Sequence, residues 1–328
     1  MQRSDLPRAR TGPEPQLLLT SLLGDFWYWR DEHIPSSALV RLLAEFGTSA
    51  DGARAAMRRL ASRGLLTVRR SGRATAYGIP ARTAAVVVQR THRLLTFGAQ
   101  PPPWDGTWTV VTFSVPERAR ELRAALRARL RLLRFAALHD GVWVCPHDSA
   151  AAARALLDEL GVRASAVLRA SEVLSTTSSG LRAAFDLEPL AQEYREFTRR
   201  YEPLLAAVEH GRTGPAEALR ARTELRVDWR RFPETDPDLP QALLPADWPR
   251  QRAQAVFVSI YDRLGPPAEA RFREVLAQSD PELAVLARHH DSAGIAELFA
   301  QLGDLRPSGD TPFERAVEQR RLREASSR

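Results

Sequence analysis

The side chains with the most evident chemistry are arginines. Arg54, Arg58 and Arg59 recur within a stretch of helical character, and Arg69, Arg70 and Arg73 crowd the tip of a hairpin that follows it. A guanidinium is permanently charged and presents a planar fork of donors, which suits phosphate oxygens and the acceptor edge of guanine. Between Ser36 and Arg82 stand nine arginines and two acids, a net charge of +7. The whole chain is also +7, so the other 38 arginines and 38 acids cancel. Charge this concentrated points to a polyanion. Duplex DNA fits, because neutralising its phosphates releases condensed counterions.

The elements that must position these arginines follow from apolar spacing. Leu18, Leu19, Leu22, Leu23, Phe26 and Trp27 predict a helix over about Gln16–Trp29. Pro35, Ser36 and Ser37 start a second, with Leu39, Leu42, Leu43 and Phe46 as its buried stripe and Gly47 as its stop. Thr48 and Ser49 can cap a third, which Gly64 ends. On that helix Ala53, Ala56, Met57 and Leu60 share the inner face, while Asp51, Arg54, Ala55, Arg58 and Ser62 look outward with Arg59 on the flank. Leu65–Arg70 and Ala74–Ile79 then form two strands joined at Ser71, Gly72 and Arg73. Helix, tight turn, helix and basic hairpin describe a winged helix-turn-helix, expected over 15–97. In that frame Arg54 and Arg58 read the major groove, Ser49, Asp51 and Ala55 tune the fit, and Arg59, Arg69, Arg70 and Arg73 contact phosphates. Arg59 has a second reading, as a structural partner of Glu45.

A proline spacer, Pro101–Pro103, separates this segment from the next. Over 104–180 the expected order is strand (108–115), helix (118–134), strands (135–138 and 142–145), helix (150–160) and strand (162–168). That is a ferredoxin-like sandwich, the kind of sheet commonly used for self-association. Over 181–304 helical spacing dominates, with helices expected from Leu190 to Leu204, Ala216 to Arg231 and Arg250 to Leu264. The overall class is α+β multidomain. Residues 305–328 are polar and charged, and are expected to be disordered. Arginines interleave with aromatics in the helical region. Arg195, Arg199, Trp229, Arg230, Arg231, Trp248, Tyr261 and Arg263 can together line a pocket for an anionic ligand.

Composition excludes several classes. All 47 basic residues are arginine, a bias of the kind a GC-rich coding sequence produces. The single Cys145 cannot form an internal disulfide and lies in an apolar strand as a core thiol. The adjacent His289 and His290 have the wrong spacing for two metal ligands on one helix face. No nucleophile elbow, phosphate loop, dinucleotide fingerprint or zinc-protease motif occurs, so no catalytic residue, metal or cofactor is expected and the protein is not an enzyme. No apolar run approaches the roughly 20 residues that span a bilayer, and no signal peptide is evident, so a cytoplasmic location with no membrane partner is expected.

Three features in order resemble the PaaX-type transcriptional repressors of phenylacetic acid degradation. The first is the basic run Arg54, Arg58, Arg59, Leu60. The second is Trp104-Asp105-Gly106-Thr107-Trp108 leading into a strand that ends Phe113-Ser114-Val115-Pro116-Glu117. The third is the string Asp236, Pro237, Leu239, Pro240, Leu243, Leu244, Pro245, Trp248, Pro249. The resemblance extends from about Gln16 to Gly303. It implies a homodimeric repressor of a catabolic operon that binds double-stranded operator DNA and is released by an acyl-CoA thioester, phenylacetyl-CoA in the archetype. Arg250 stands where the family often has glycine. The central layout also resembles small CRISPR-associated nucleases, which place an acid at the end of the first strand. Ser114, Val115 and Pro116 occupy that end here, followed only by Glu117, so the carboxylates that hold a catalytic cation are missing. A metal-dependent nuclease or a single-stranded nucleic-acid binding module is the alternative function.

Overall fold

A computed structural model describes residues 14–27, 30–80, 90–172 and 180–297. It divides into two compact units, one of Met1–Phe97, Arg199–Arg231 and Ala255–Arg328, the other of Gly98–Thr198 and Phe232–Gln254. The segment 181–304 therefore supplies helices to both. The expected tail at 305–328 lies outside the described residues, as do residues 81–89 of the segment expected over 15–97.

In the first unit α1 (Pro15–Phe26), α2 (Ser36–Ala44) and α3 (Ala50–Ser62) precede a small sheet of β1 (Ile34–Pro35), β3 (Ala74–Gly78) and β2 (Thr67–Ser71) in that spatial order. Helix α1 stops three residues before the expected Trp29, and the Trp27 indole donates to the carbonyl of Glu32. Helices α2 and α3 end alike. Gly47 and Gly64 take φ of +72° and +65°, which lets Thr48 and Leu65 donate back to Leu43 and Leu60. A short helix, α4, is described at 90–96.

In the second unit β4 (Thr107–Phe113), α5 (Arg120–Leu132), β5 (Ala136–His139), β6 (Val142–Cys145), α6 (Ala150–Glu159) and β7 (Ser165–Ser171) build an antiparallel sheet of order β5-β6-β4-β7. Val111, Trp143 and Cys145 on one face meet Leu126 and Leu130 of α5 and Leu156 and Leu157 of α6. Trp108 is buried on the other face beside Trp104 and Phe185. The last strand begins three residues later than the alternation suggested. Gly161 turns at φ +66°, and Val162 belongs to that turn, its carbonyl accepting from the Ser165 hydroxyl.

The remaining helices are α7 (Glu188–Glu209), α8 (Pro215–Trp229), α9 (Arg231–Thr235), α10 (Arg250–Ala277) and α11 (Pro281–Ala284). Helix α10 runs through Pro266 and Pro267, where the spacing predicted an end near Leu264. A proline inside a helix costs about 3 kcal/mol or more. Ala268, Phe272, Val275 and Leu276 beyond it are all buried, and Phe272 stacks on Phe26 at 4.9 Å, so packing outweighs the loss.

A buried ionic cluster ties the N-terminal and C-terminal parts of the first unit together. The Asp25 carboxylate, fully buried on α1, accepts from Arg226 of α8 and from the Tyr261 hydroxyl of α10 at 2.8 Å, and lies 3.4 Å from the Arg222 guanidinium. Arg222 also donates to the carbonyls of Tyr261 and His290, its guanidinium lying over the Tyr261 ring at 3.6 Å. Arg226 donates to Thr91 at 2.8 Å. Removing one charge from such a cluster leaves the others buried and uncompensated. Asp25→Ala is therefore expected to lose about 3–5 kcal/mol in a denaturant titration. His290, beside this cluster, is pushed down to about 4, chiefly by burial and next by the charge of His289. The unfolded chain takes up that proton first, so stability is lost as pH falls from 6.5 toward 4. The thermal midpoint is expected to drop across that window, and to drop less in His290→Asn.

Candidate nucleic-acid interface

Helix α3 carries its expected faces. Ala53, Ala56, Met57 and Leu60 are buried, while Asp51, Arg54, Arg58, Arg59 and Ser62 are exposed and Ala55 is half-buried. Ser49 caps the helix, its hydroxyl accepting from the amide of Gly52 at 3.2 Å. The cap satisfies one of the amides that the first turn of α3 leaves without an intrahelical partner. Arg54 is held by Asp51 at 3.1 Å, one turn back on the same face. Both side chains are well exposed, so this pairing orients more than it stabilises.

The hairpin follows directly. Every residue of β2 is exposed, and Arg69, Arg70 and Ser71 pair with Ala76, Thr75 and Ala74. Gly72 takes φ +56° at the turn, a conformation open to few other residues, with Arg73 next to it. Arg58, Arg59, Arg69, Arg70 and Arg73 are thus exposed residues of a single compact unit.

Glu45 does not partner Arg59. Its carboxylate accepts from Arg271 of α10 at 2.6 Å and lies 3.7 Å from Arg220 of α8. Arg41, also on α2, donates to the Ser279 hydroxyl. Helix α2 is thereby braced on its outer side by the C-terminal helices, and Arg59 stays at the surface.

The arginine and aromatic set expected to line an anionic pocket is divided between the two units. Arg195 and Trp248 belong to the second unit, the other six to the first. Arg195 is paired with Glu188 at 2.9 Å. Trp248 is buried edge-on to Tyr194. Trp229 is fully buried, stacks on Phe257 at 4.8 Å and donates its indole N–H to the carbonyl of Leu94. Tyr261 is part of the Asp25 cluster, and Arg263 donates to the Ser259 carbonyl within its own helix. Arg199, Arg230 and Arg231 are exposed. Trp229 and Tyr261 are part of the buried core of the first unit.

Arg250, the residue that departs from the expected glycine, has a defined role. Its guanidinium is 2 % exposed, 3.1 Å from Asp238 and 3.6 Å from Asp236. Asp236 also accepts from the Tyr194 hydroxyl at 2.6 Å, and Asp238, at φ +57°, accepts from Arg134 at 2.7 Å. The proline-rich string is therefore pinned by a buried arginine within the second unit. Burial raises the Asp236 carboxyl, with Arg250 opposing the shift.

Family models match in three consecutive segments. A PaaX-like protein model covers residues 14–83, the central Cas2-like domain of PaaX proteins covers 101–181, and the PaaX-like C-terminal domain covers 185–274. The chain belongs to the PaaX family. A curated relative is the transcriptional repressor PaaX of Escherichia coli (strain K12), 27% identical over 260 residues, spanning 77% of this chain and 81% of that protein. A solved structure, the uncharacterized protein Rv0674 from Mycobacterium tuberculosis, superposes with a TM-score of 0.52 at 23% identity, covering 80% of this chain and 98% of that one. That likeness speaks for the fold alone. All nine arginines of the basic segment lie within 14–83, so the family match and the charge concentration coincide. No helix among the described residues is long and apolar enough to cross a membrane.

Proposed function

We propose that this PaaX-family chain is a DNA-binding transcriptional repressor whose reading head is the winged helix-turn-helix formed by α1–α3 and the β2–β3 hairpin. The observation that carries this reading is the outer face of α3. Its short residues and arginines lie outward, its apolar residues inward, and an arginine-tipped hairpin follows it in the same compact unit. Arg54 and Arg58 reach base edges in the major groove, with Ser49, Asp51 and Ala55 shaping the approach. Arg59, Arg69, Arg70 and Arg73 meet the backbone, where contacts position without specifying. The relative named as a transcriptional repressor supports the same reading.

The sheet of the second unit, β4-α5-β5-β6-α6-β7, is read as a ferredoxin-like domain serving self-association, and the repressor as a homodimer. A two-fold dimer reads two half-sites a whole number of DNA turns apart. Release by an acyl-CoA thioester such as phenylacetyl-CoA requires that the thioester bind the DNA-incompetent arrangement more tightly, with typical couplings of about 1–3 kcal/mol. The nuclease reading is disfavoured by the sequence after β4, where Ser114, Val115 and Pro116 stand in place of an acid.

Selection of bound genomic fragments by the purified protein identifies the operator, and fluorescence anisotropy on it tests the roles. Arg58→Ala is expected to cost about 1–3 kcal/mol and to relax sequence preference. Arg70→Ala weakens all sequences alike and flattens the salt slope by about one. Salt slopes and sequence ratios that neither change alters would sink the assignment. Added phenylacetyl-CoA is expected to weaken operator binding about 5- to 150-fold. An unchanged affinity removes that thioester as the inducer.

A further inference from the structure

The hairpin that carries Arg69, Arg70 and Arg73 has little backbone to hold it in place. An isolated two-stranded hairpin is marginal in water. Its third strand, β1, is two residues long, and one of these is Pro35, which has no N–H to give to a ladder. The aim of the hairpin must therefore come from side chains at its base.

His33 lies there. Ile34 pairs with Tyr77, which sets His33 opposite Gly78, and Gly78 pairs in turn with Thr67. The imidazole lies flat over Gly78 and reaches across it. Its Nε2 is 2.9 Å from the Thr67 hydroxyl, and its Nδ1 is 3.2 Å from the carbonyl of Asp31. A carbonyl only accepts, so Nδ1 carries the proton and Nε2 of the neutral ring accepts from Thr67. A Cβ on Gly78 would sit 2.9–3.0 Å from three ring atoms, too close for the ring to stay. Glycine is needed at 78 for that space. Thr67 and Arg69 share one face of β2, two residues apart, so the ring sits below an arginine assigned to phosphate. Burial first and the Arg69 charge second hold His33 below its usual range, so it is uncharged at neutral pH and adds no charge of its own to the contact.

We infer that His33, Gly78 and Thr67 form a clamp across the three strands that sets the angle of the hairpin, making His33 a positioning residue for the phosphate contacts of Arg69, Arg70 and Arg73. The inference rests on the DNA-binding reading above. It is tested by salt titration of the full-length protein on a fluorescein-labelled duplex of mixed sequence, which needs no knowledge of the operator. Wild type is compared with His33→Ala, Thr67→Val and Gly78→Ala, and thermal midpoints are recorded for each. The expected result is a slope of log Kobs against log salt that is shallower by about 1–2 in each variant, one phosphate contact being worth about 0.9. Partial unfolding lowers the active fraction but leaves that slope unchanged, so the slope separates positioning from mere stability. Should His33→Ala fail to fold, Thr67→Val decides, since it removes only one hydroxyl at the surface. Variants that bind with the wild-type slope overturn the clamp while leaving the DNA-binding reading intact. A wild-type protein with no salt-dependent duplex binding overturns both.

Discussion

Asp25 is the constraint on which the first unit depends. A carboxylate with no solvent exposure on the apolar side of α1 is tolerable only with cations and hydroxyls packed around it, and Arg226, Arg222 and Tyr261 come from helices two hundred residues away in sequence. Two guanidiniums around one carboxylate leave an excess of positive charge in the interior. Carbonyls of Tyr261, His290 and Ser21 accept from further donors of the two guanidiniums. The result is that α1 cannot leave α8 and α10 without exposing a charge-mismatched core. The N-terminal helices are thus part of a unit that the C-terminal helices complete.

The same principle works at the surface of that unit. Glu45 at the end of α2 is held by Arg271 and Arg220, and Arg41 by Ser279, so that α2 is fixed from outside while its apolar stripe is fixed from within. Helix α3, which follows α2 after a glycine-terminated turn, inherits that fixed position. Its arginines lie opposite the face on which Ala53, Ala56, Met57 and Leu60 are buried. In the second unit Arg250 does for the proline-rich string what Arg222 and Arg226 do for α1, gathering Asp236 and Asp238 into one buried knot.

Much of this was legible in residue order. The inner face of α3, the cap at Ser49, the stops at Gly47 and Gly64 and the bounds of β6 follow from local periodicity and turn chemistry, which act over a few residues. Boundaries slipped where tertiary packing competes with local signals. Pro266 and Pro267 argued for a helix end, and burial of Ala268, Phe272 and Val275 carried α10 on to Ala277. Val162 looked like strand and is part of the Gly161 turn. The cluster around Asp25 left one trace in the sequence, an acid set between Leu23 and Phe26 on an otherwise apolar face, but nothing there names its partners.

The sequence by itself determined the concentration of positive charge, the amphipathic faces, and the turns that glycine and capping residues impose. Each of these is a property of neighbours along the chain. Only the tertiary structure decided which arginines are surface groups and which are buried struts. That choice depends on whether a carboxylate from a remote helix lies within reach, because a guanidinium is stable in the interior only when paired and in water without help. Arg58 and Arg222 are chemically identical. Their surroundings alone send one toward solvent and the other into the core.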